Sequence, residues 1–96
     1  MRTYRNHDDY LDKALKDPKE AARYLNAAME ENDQTLVLVA LSQVAKARGL
    51  SKTAKTASLS RMGLYKMLSK KGNPEFKTFI NVLSAAGLRM SFKPIA

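Results

Sequence analysis

The sequence contains no cysteine and no tryptophan, and its single histidine is His7, within N-terminal residues that we expect to be loosely held. Without cysteine, disulfides and thiolate metal sites are excluded. The chain also lacks a glycine-rich phosphate loop and paired carboxylates at a pocket-forming spacing. Asp8, Asp9 and Asp12 are better explained as helix-capping and solvated acids than as metal ligands. The sequence therefore predicts no catalysis, no metal site and no cofactor.

Long apolar runs are missing as well. No stretch approaches the roughly 20 apolar residues that a membrane span requires. The N-terminal residues Met1–Arg5 are followed by acidic residues and not by the apolar core of a signal peptide. We therefore expect a cytoplasmic protein with no membrane partner. Ninety-six residues suffice for one domain with a small core.

Acidic residues are scarce in the second part of the chain. Residues 1–33 hold six lysines and arginines against eight aspartates and glutamates, a net charge of −2. Residues 34–96 hold eleven basic residues and one acid, Glu75, a net charge of +10. Such an asymmetry along a small domain indicates two surfaces with different partners. The basic part is typical of a surface that binds nucleic acid.

Capping residues and apolar spacing divide most of the chain into six helices. The predicted helices run from Asp8 or Asp9 to Lys16, from Pro18 to about Glu31, from Gln34 to Arg48, from Lys52 to Ala57, from Arg61 to about Lys70, and from Glu75 to Ala86. Asp17 and Asp33 are the predicted N-caps of the second and third helices. The third helix is apolar on nearly every side in its first half, so we expect it at the centre of the core.

The residues from Leu50 to Lys71, LSKTAKTASLSRMGLYKMLSKK, have the pattern of two short helices joined by a tight turn. Ser51 and Ser60 are the predicted N-caps, and Ser58-Leu59 form the turn. Apolar and small residues recur at helical spacing through both helices. These residues are Leu50, Thr53, Ala54, Ala57, Leu59, Leu64, Met67 and Leu68. The spacing predicts one buried face on each helix, as a helix-turn-helix requires.

The opposite side of the second short helix is basic, hydroxylated and aromatic. Lysine and arginine neutralise phosphates, and arginine pairs with base edges in the major groove. We therefore predict double-stranded DNA as a partner, although a basic face that is only solvated is the plain alternative. The candidate DNA-binding residues are Ser51, Lys52, Lys55, Ser60, Arg61, Met62, Tyr65, Lys66, Ser69 and Lys70.

The last segment changes from helical to alternating spacing. Leu88, Met90 and Phe92 alternate with polar residues, which predicts a short strand over 88–93. One strand cannot satisfy its own backbone, so its partner would be a second copy or another protein. We predict a homodimer with these three residues at the contact. The predicted organisation is an acidic helical extension over 1–33, a DNA-binding core over 34–87 and a strand within 88–96. The fold class is all-α with one terminal strand.

With these motifs in view, the chain resembles the addiction-module antidote proteins, HigA-like antitoxins with a Cro/repressor-type helix-turn-helix, from about Asp8 to Phe92. The stretches that carry the resemblance are DPKEAARYLNAAMEE, LVLVALSQVAKARGLSKTAKTASLSR and LYKMLSKKGNPEFKTFINVLSAAGLR. Ser58 replaces the turn glycine of that family, and Met62-Gly63 replaces a usual acidic residue. The resemblance implies a repressor-like bundle, repression of the protein's own promoter, and a small toxin that inhibits translation, typically a ribonuclease-like one.

Residues 1–33 are the part of this chain that a basic toxin could approach without repulsion. The candidate toxin-binding residues are Asp9, Tyr10, Leu11, Asp12, Tyr24, Glu30 and Glu31. Alternatively, the extension only completes the core, and the protein is a stand-alone helix-turn-helix repressor without a toxin. An RNA-binding module is less favoured because the aromatic residues are not interleaved for stacking on bases.

Overall fold

The computed structural model describes residues 10–69 and 71–96 and contains six helices within them. The helices are α1 over residues 10–15, α2 Pro18–Glu30, α3 Gln34–Arg48, α4 Leu50–Thr56, α5 Arg61–Met67 and α6 Phe76–Ala85. No described residue lies in a strand. The predicted all-α class is confirmed, and the predicted terminal strand is not present in the single chain.

The predicted caps of the two longest helices are confirmed. A carboxylate oxygen of Asp17 accepts a hydrogen bond from the backbone N–H of Lys19 at 3.0 Å, and Pro18 opens α2. Asp33 accepts from the N–H of Thr35 at 2.9 Å, which starts α3. Each cap satisfies one of the backbone donors that the first helical turn leaves free.

Helix α3 forms the centre of the core, as its apolar sequence predicts. Its buried residues are Val37, Leu38, Ala40, Leu41, Val44, Ala45 and Ala47. Leu41 and Val44 are fully buried. Helix α2 packs along one side of α3, and α4 packs against both α3 and α6. The core is therefore arranged around one helix, and each fully buried leucine contributes roughly 1.5–3 kcal/mol of transfer free energy.

The N-terminal helices belong to this same core. Leu15 of α1 and Ala21 and Leu25 of α2 are buried in one cluster with Leu41 and Leu64. Because buried apolar surface would be exposed if α1 and α2 were removed, we expect a deletion of residues 1–30 to destabilise the whole domain. Point substitutions at exposed positions are the appropriate way to test these helices for binding.

Two large apolar residues on the apolar sides of their helices are exposed. Met29 lies in the last turn of α2 and Phe76 is the first residue of α6, and their side chains are 47% and 68% exposed. Both are exposed for the same reason. Spacing identifies the side of a helix that faces the core, whereas the neighbouring helices decide how far along its length that side is covered.

The C-terminal segment is irregular from Leu88 to the end of the chain. Leu88 and Met90 are half-buried and pack against the core, while Phe92 is 88% exposed. A strand requires a second strand for its ladder hydrogen bonds, and the described residues offer none. The alternation that predicted a strand therefore reflects, in this chain, the packing of Leu88 and Met90 against the helices.

Thr53 provides a test of the packing between the short helices. Its side chain is 1% exposed, and its hydroxyl has no hydrogen-bond partner among the described residues. An unsatisfied buried hydroxyl costs about 1–3 kcal/mol, and valine has nearly the same shape. We expect Thr53→Val to raise the free energy of unfolding by about 1 kcal/mol in urea denaturation. Thr53→Ser, which keeps the hydroxyl and loses the methyl group, is the control and should be destabilised. A loss of stability in Thr53→Val would show that the hydroxyl is satisfied in solution.

Candidate nucleic-acid interface

The predicted pair of short helices with a tight turn is present as α4 and α5. The turn is closed by a hydrogen bond of 2.8 Å from the N–H of Leu59 to the carbonyl of Ala54. Ser58 has a φ of +61°, in the left-handed region that costs a non-glycine residue energy. Ser60 caps α5 as predicted, because its hydroxyl accepts from the N–H of Gly63 at 2.9 Å.

The start of the first short helix differs from the prediction. Helix α4 begins at Leu50, one residue after α3 ends, so the predicted N-cap Ser51 lies inside α4 and makes no capping bond. Gly49 occupies the junction with a φ of +103°. Because this glycine serves both as the end of α3 and as the start of α4, no residue remains to provide a side-chain cap.

The end of the second short helix also differs. Helix α5 ends at Met67, with Leu68 as its C-cap, before the predicted end near Lys70, which lies outside the described residues. The chain then folds back over the helix end. The N–H of Gly72 donates to the carbonyl of Ser69 at 2.9 Å, and a Cβ at Gly72 would lie 2.0 Å from the carbonyl oxygen of Met67. The glycine permits this close approach.

One face of each short helix is buried, as predicted. In α4 the buried residues are Thr53 and Ala54, and in α5 they are Leu64 and Met67. Ala54 is 2% exposed, and its small side chain allows the two helices to approach closely. The inner faces therefore hold α4 and α5 in one orientation relative to α3 and α6.

The opposite faces are exposed and carry the described candidate DNA-binding residues. These are Ser51, Lys52, Lys55, Ser60, Arg61, Met62, Tyr65, Lys66 and Ser69, and all nine are exposed. Met62 is 63% and Tyr65 is 66% exposed, although each has a large apolar side chain. Large apolar side chains held out into solvent beside arginine and lysine are typical of a contact surface.

The cations of this surface are available to a partner. Within residues 10–69 and 71–96, the ion pair found joins Arg23 and Glu20 of α2. Lys52, Arg61 and Lys66 therefore have no carboxylate partner in the described chain. Arg61 lies in the first turn of α5, where a recognition helix presents side chains to base edges. Its planar donors match the acceptors of guanine in the major groove.

Two hydroxyl groups on this surface differ in whether their proton is already used in a hydrogen bond. The Ser69 hydroxyl donates to the carbonyl of Lys66 at 2.8 Å, so its proton is already engaged. The Ser60 oxygen accepts its capping bond, which leaves the Ser60 proton free to donate to a phosphate. Ser60 is thus the stronger candidate of the two for a phosphate contact.

One basic residue lies beside this surface although the helix pattern does not predict its position there. Lys46 of α3 is exposed and lines a depression together with Tyr65 of α5 and Ser69, which follows α5. The sequence places Lys46 nineteen positions before Tyr65, and only the packing of α3 against the short helices brings the two together. Lys46 is therefore an additional candidate for a phosphate contact.

The residues predicted to bind a toxin do not form one cluster. Tyr10 is 72% exposed and lines a depression with Asp12, whereas Leu11 and Tyr24 are half-buried and pack against the core. Asp9 lies outside the described residues.

The two glutamates of this set lie elsewhere. Glu30 is the last residue of α2 and Glu31 is its C-cap, and both are exposed. A 13-residue helix is about 20 Å long at 1.5 Å per residue. The two glutamates at the C-terminal end of α2 are therefore about 20 Å from its N-terminal end, which follows α1. A single small contact cannot use both ends.

The described residues offer neither a metal-binding cluster nor a membrane-spanning helix. No group of three or more histidine, cysteine, aspartate or glutamate residues there could hold a metal ion. None of the helices that the structure describes is long and apolar enough to cross a membrane.

Comparisons with known proteins identify relatives of the chain. Residues 6–94 match the model of a family described as "Probable addiction module antidote protein". An uncharacterized protein of Haemophilus influenzae (strain ATCC 51907 / DSM 11121 / KW20 / Rd) is 43% identical over 75 residues, which cover 78% of this chain and 77% of that protein. No solved structure matches the chain.

Proposed function

Because the chain belongs to the family of probable addiction module antidote proteins, we propose that it is the antitoxin of a type II toxin–antitoxin module. In this proposal the protein binds operator DNA as a dimer, represses its own operon and neutralises a small toxin that inhibits translation. The family supports the antidote role. The DNA-binding part of the proposal is argued from the geometry of α4 and α5.

The observation that carries DNA binding is the exposed face of α5. Arg61, Met62, Tyr65 and Lys66 project from one short helix whose other face is fixed in the core. Helix α4 would lie across the phosphate backbone, with Lys52 and Lys55 exposed on its outer side. This is the division of labour of a helix-turn-helix, in which the second helix enters the major groove.

A homodimer is the form that we propose to bind the operator. One helix-turn-helix covers only a half-site, and a dimer places two recognition helices about 34 Å apart on one side of the duplex. Leu88, Met90 and Phe92 are the proposed dimer residues. Since Leu88 and Met90 already pack against their own core, Phe92 is the member of the set that is free to contact a second chain.

Truncation tests this dimer without disturbing the core. Deleting residues 91–96 removes Phe92 but keeps Leu88 and Met90, so we expect a folded monomer. Sedimentation equilibrium measures the mass, and circular dichroism confirms unchanged helix content. A truncated protein that sediments as a dimer at the same concentration would assign the two-fold contact to another surface.

The toxin contact is proposed for the N-terminal helices. Their acidic side chains would attract a basic toxin, but exposed ion pairs contribute only about 0–1 kcal/mol each. An aromatic anchor is expected to contribute more, and Tyr10 is an exposed aromatic residue among the described residues at this end. Glu30 and Glu31, at the other end of α2, would serve a separate part of the contact.

Two measurements test the proposed function. The protein should bind a duplex from upstream of its own gene more tightly than a shuffled duplex of the same composition. Co-production with the product of the adjacent reading frame should restore the growth that this product inhibits. Tight specific DNA binding without any growth rescue would favour the stand-alone repressor. Equal affinity for the two duplexes would contradict sequence-specific binding.

A further inference from the structure

An apolar groove is lined by residues of α2, α3 and α6. Two adjoining depressions form it, with volumes of about 390 and 360 Å³. They share three residues, Met29 of α2, Val37 of α3 and Phe79 of α6. Phe76 lines the first depression, and Met90 lines the second. This set, which we call the α2–α6 groove, includes the exposed apolar residues Met29 and Phe76.

The first depression of the groove is bordered by acidic residues. Asp33 lines it, and Glu75 is exposed between the lining residues Pro74 and Phe76. Glu75 is the one acidic residue among residues 34–96, so the basic part of the chain carries its single negative charge beside this groove. The first depression thus combines an apolar floor with acidic residues at its edge, whereas Arg89 lines the second depression.

The C-terminal tail has the complementary chemistry. Its residues 91–96, SFKPIA, contain two fully exposed apolar side chains, Phe92 and Ile95, on either side of Lys93. The tail leaves the molecule at Ser91, which lines the second depression. In this chain the tail does not fill its own groove, because Phe92 and Ile95 are both exposed.

We propose that the α2–α6 groove binds the C-terminal tail of a second copy of this chain. Phe92 or Ile95 of the second copy would pack on the floor beside Phe76, and Lys93 would face Glu75. In a two-fold dimer each tail would occupy the groove of the other chain, so that the contact occurs twice. The inference rests on the proposed homodimer and specifies its contact surface.

Charge and accessibility favour this occupant. Acidic residues lie at the edge of the first depression. The tail offers Lys93 for them, together with Phe92 and Ile95, two exposed apolar side chains that are free of the core. The tail is extended, and five residues after Ser91 span at most about 17 Å. The tail can therefore reach a second chain without any change in the helices.

Cross-linking tests the contact directly, because the chain has no cysteine and introduced thiols are unique. Asn73→Cys places a thiol on the groove, and Pro94→Cys places one in the tail between the two apolar residues. The two variants are purified separately, one with a larger tag, then mixed and treated with a short bis-maleimide. The expected product is the covalent hetero-pair. Asn81→Cys, exposed on α6 and not a lining residue of the groove, is the matched control for Asn73→Cys.

Affinity measurements complete the test. Phe76→Ala should raise the dissociation constant of the dimer at least tenfold. The melting temperature at a concentration where the protein is monomeric should stay unchanged, since Phe76 is mostly exposed in the single chain. Glu75→Lys and Lys93→Glu should each weaken the dimer about two- to fivefold, the range of an exposed ion pair. The double reversal Glu75→Lys with Lys93→Glu should restore it.

Several outcomes would overturn the inference. The first is equal cross-linking of Pro94→Cys to Asn73→Cys and to Asn81→Cys. The second is a Phe76→Ala variant whose dimer dissociation constant stays within twofold of the wild type. The third is a groove variant that remains dimeric but no longer rescues growth, which would assign the groove to the toxin. A wild-type protein that is monomeric at all concentrations would instead contradict the proposed homodimer itself.

Discussion

Replacing Arg61 with alanine is expected to lower the affinity for the operator by about 1–3 kcal/mol, roughly 5- to 150-fold, and to relax its sequence preference. Arg61 is exposed in the first turn of α5 and has no acidic partner in the described chain. An arginine in that position can form two hydrogen bonds with the edge of one guanine. Losing both bonds would weaken binding to the preferred base more than to the other bases.

The measurement is a titration by fluorescence anisotropy against the natural duplex and against duplexes with single base-pair changes. For the wild type, one position should discriminate strongly among bases, and for Arg61→Ala this same position should become nearly neutral. If the variant lost affinity equally on every duplex, Arg61 would contact phosphate and not a base.

Lys52→Ala is the matched control for this experiment. Lys52 is exposed on α4, the helix that would lie across the phosphates. Its loss should weaken binding to all sequences alike and reduce the slope of log affinity against log salt by about one. The two variants together separate base reading from charge neutralisation.

Replacing Leu64 with alanine is expected to lower the free energy of unfolding by about 2–5 kcal/mol. Leu64 is fully buried on the inner face of α5 and belongs to the cluster that includes Leu15 and Leu41. A domain of this size has a total stability of roughly 5–15 kcal/mol. The substitution would therefore remove a large fraction of the stability, and urea denaturation measures it.

Tyr65→Ala is the control at the neighbouring position of the same helix. Tyr65 is on the exposed side of α5, so its replacement should change the free energy of unfolding by no more than about 0.5 kcal/mol. The same variant should nevertheless weaken DNA binding. If Tyr65→Ala were as unstable as Leu64→Ala, the exposed side of α5 would have a structural role and the proposed interface would lose its support.

Local signals predicted the helices well, because the interactions that start and end a helix join residues close in the sequence. Asp17, Asp33 and Ser60 each accept a bond from an N–H two or three residues away, and these caps were all predicted. The exception, Ser51, failed because α3 and α4 share one glycine at their junction. Whether one residue can end α3 and also start α4 depends on the angle between the two packed helices.

The candidate site was predictable to a similar degree. The exposed face of α4 and α5 follows from helical spacing alone, and the structure exposes each described residue of it. Lys46 was missed because its proximity to Tyr65 arises from the tertiary packing of α3 with the short helices. The roles of these residues in binding DNA, and of the N-terminal residues in binding a toxin, stay predictions.

By itself, the sequence determined the class of fold, the starts of α2, α3 and α5, and the separation of charge, since each depends on neighbouring residues or on composition. Only the tertiary structure decided that α1 and α2 share one core with α5, because Leu15 and Leu64 lie far apart in the chain. It likewise decided that Met29 and Phe76 are exposed along a groove and that the C-terminal alternation packs on the helices. Which part of an apolar face is covered depends on the length and angle of the neighbouring helices, and periodicity within one helix carries no information about either.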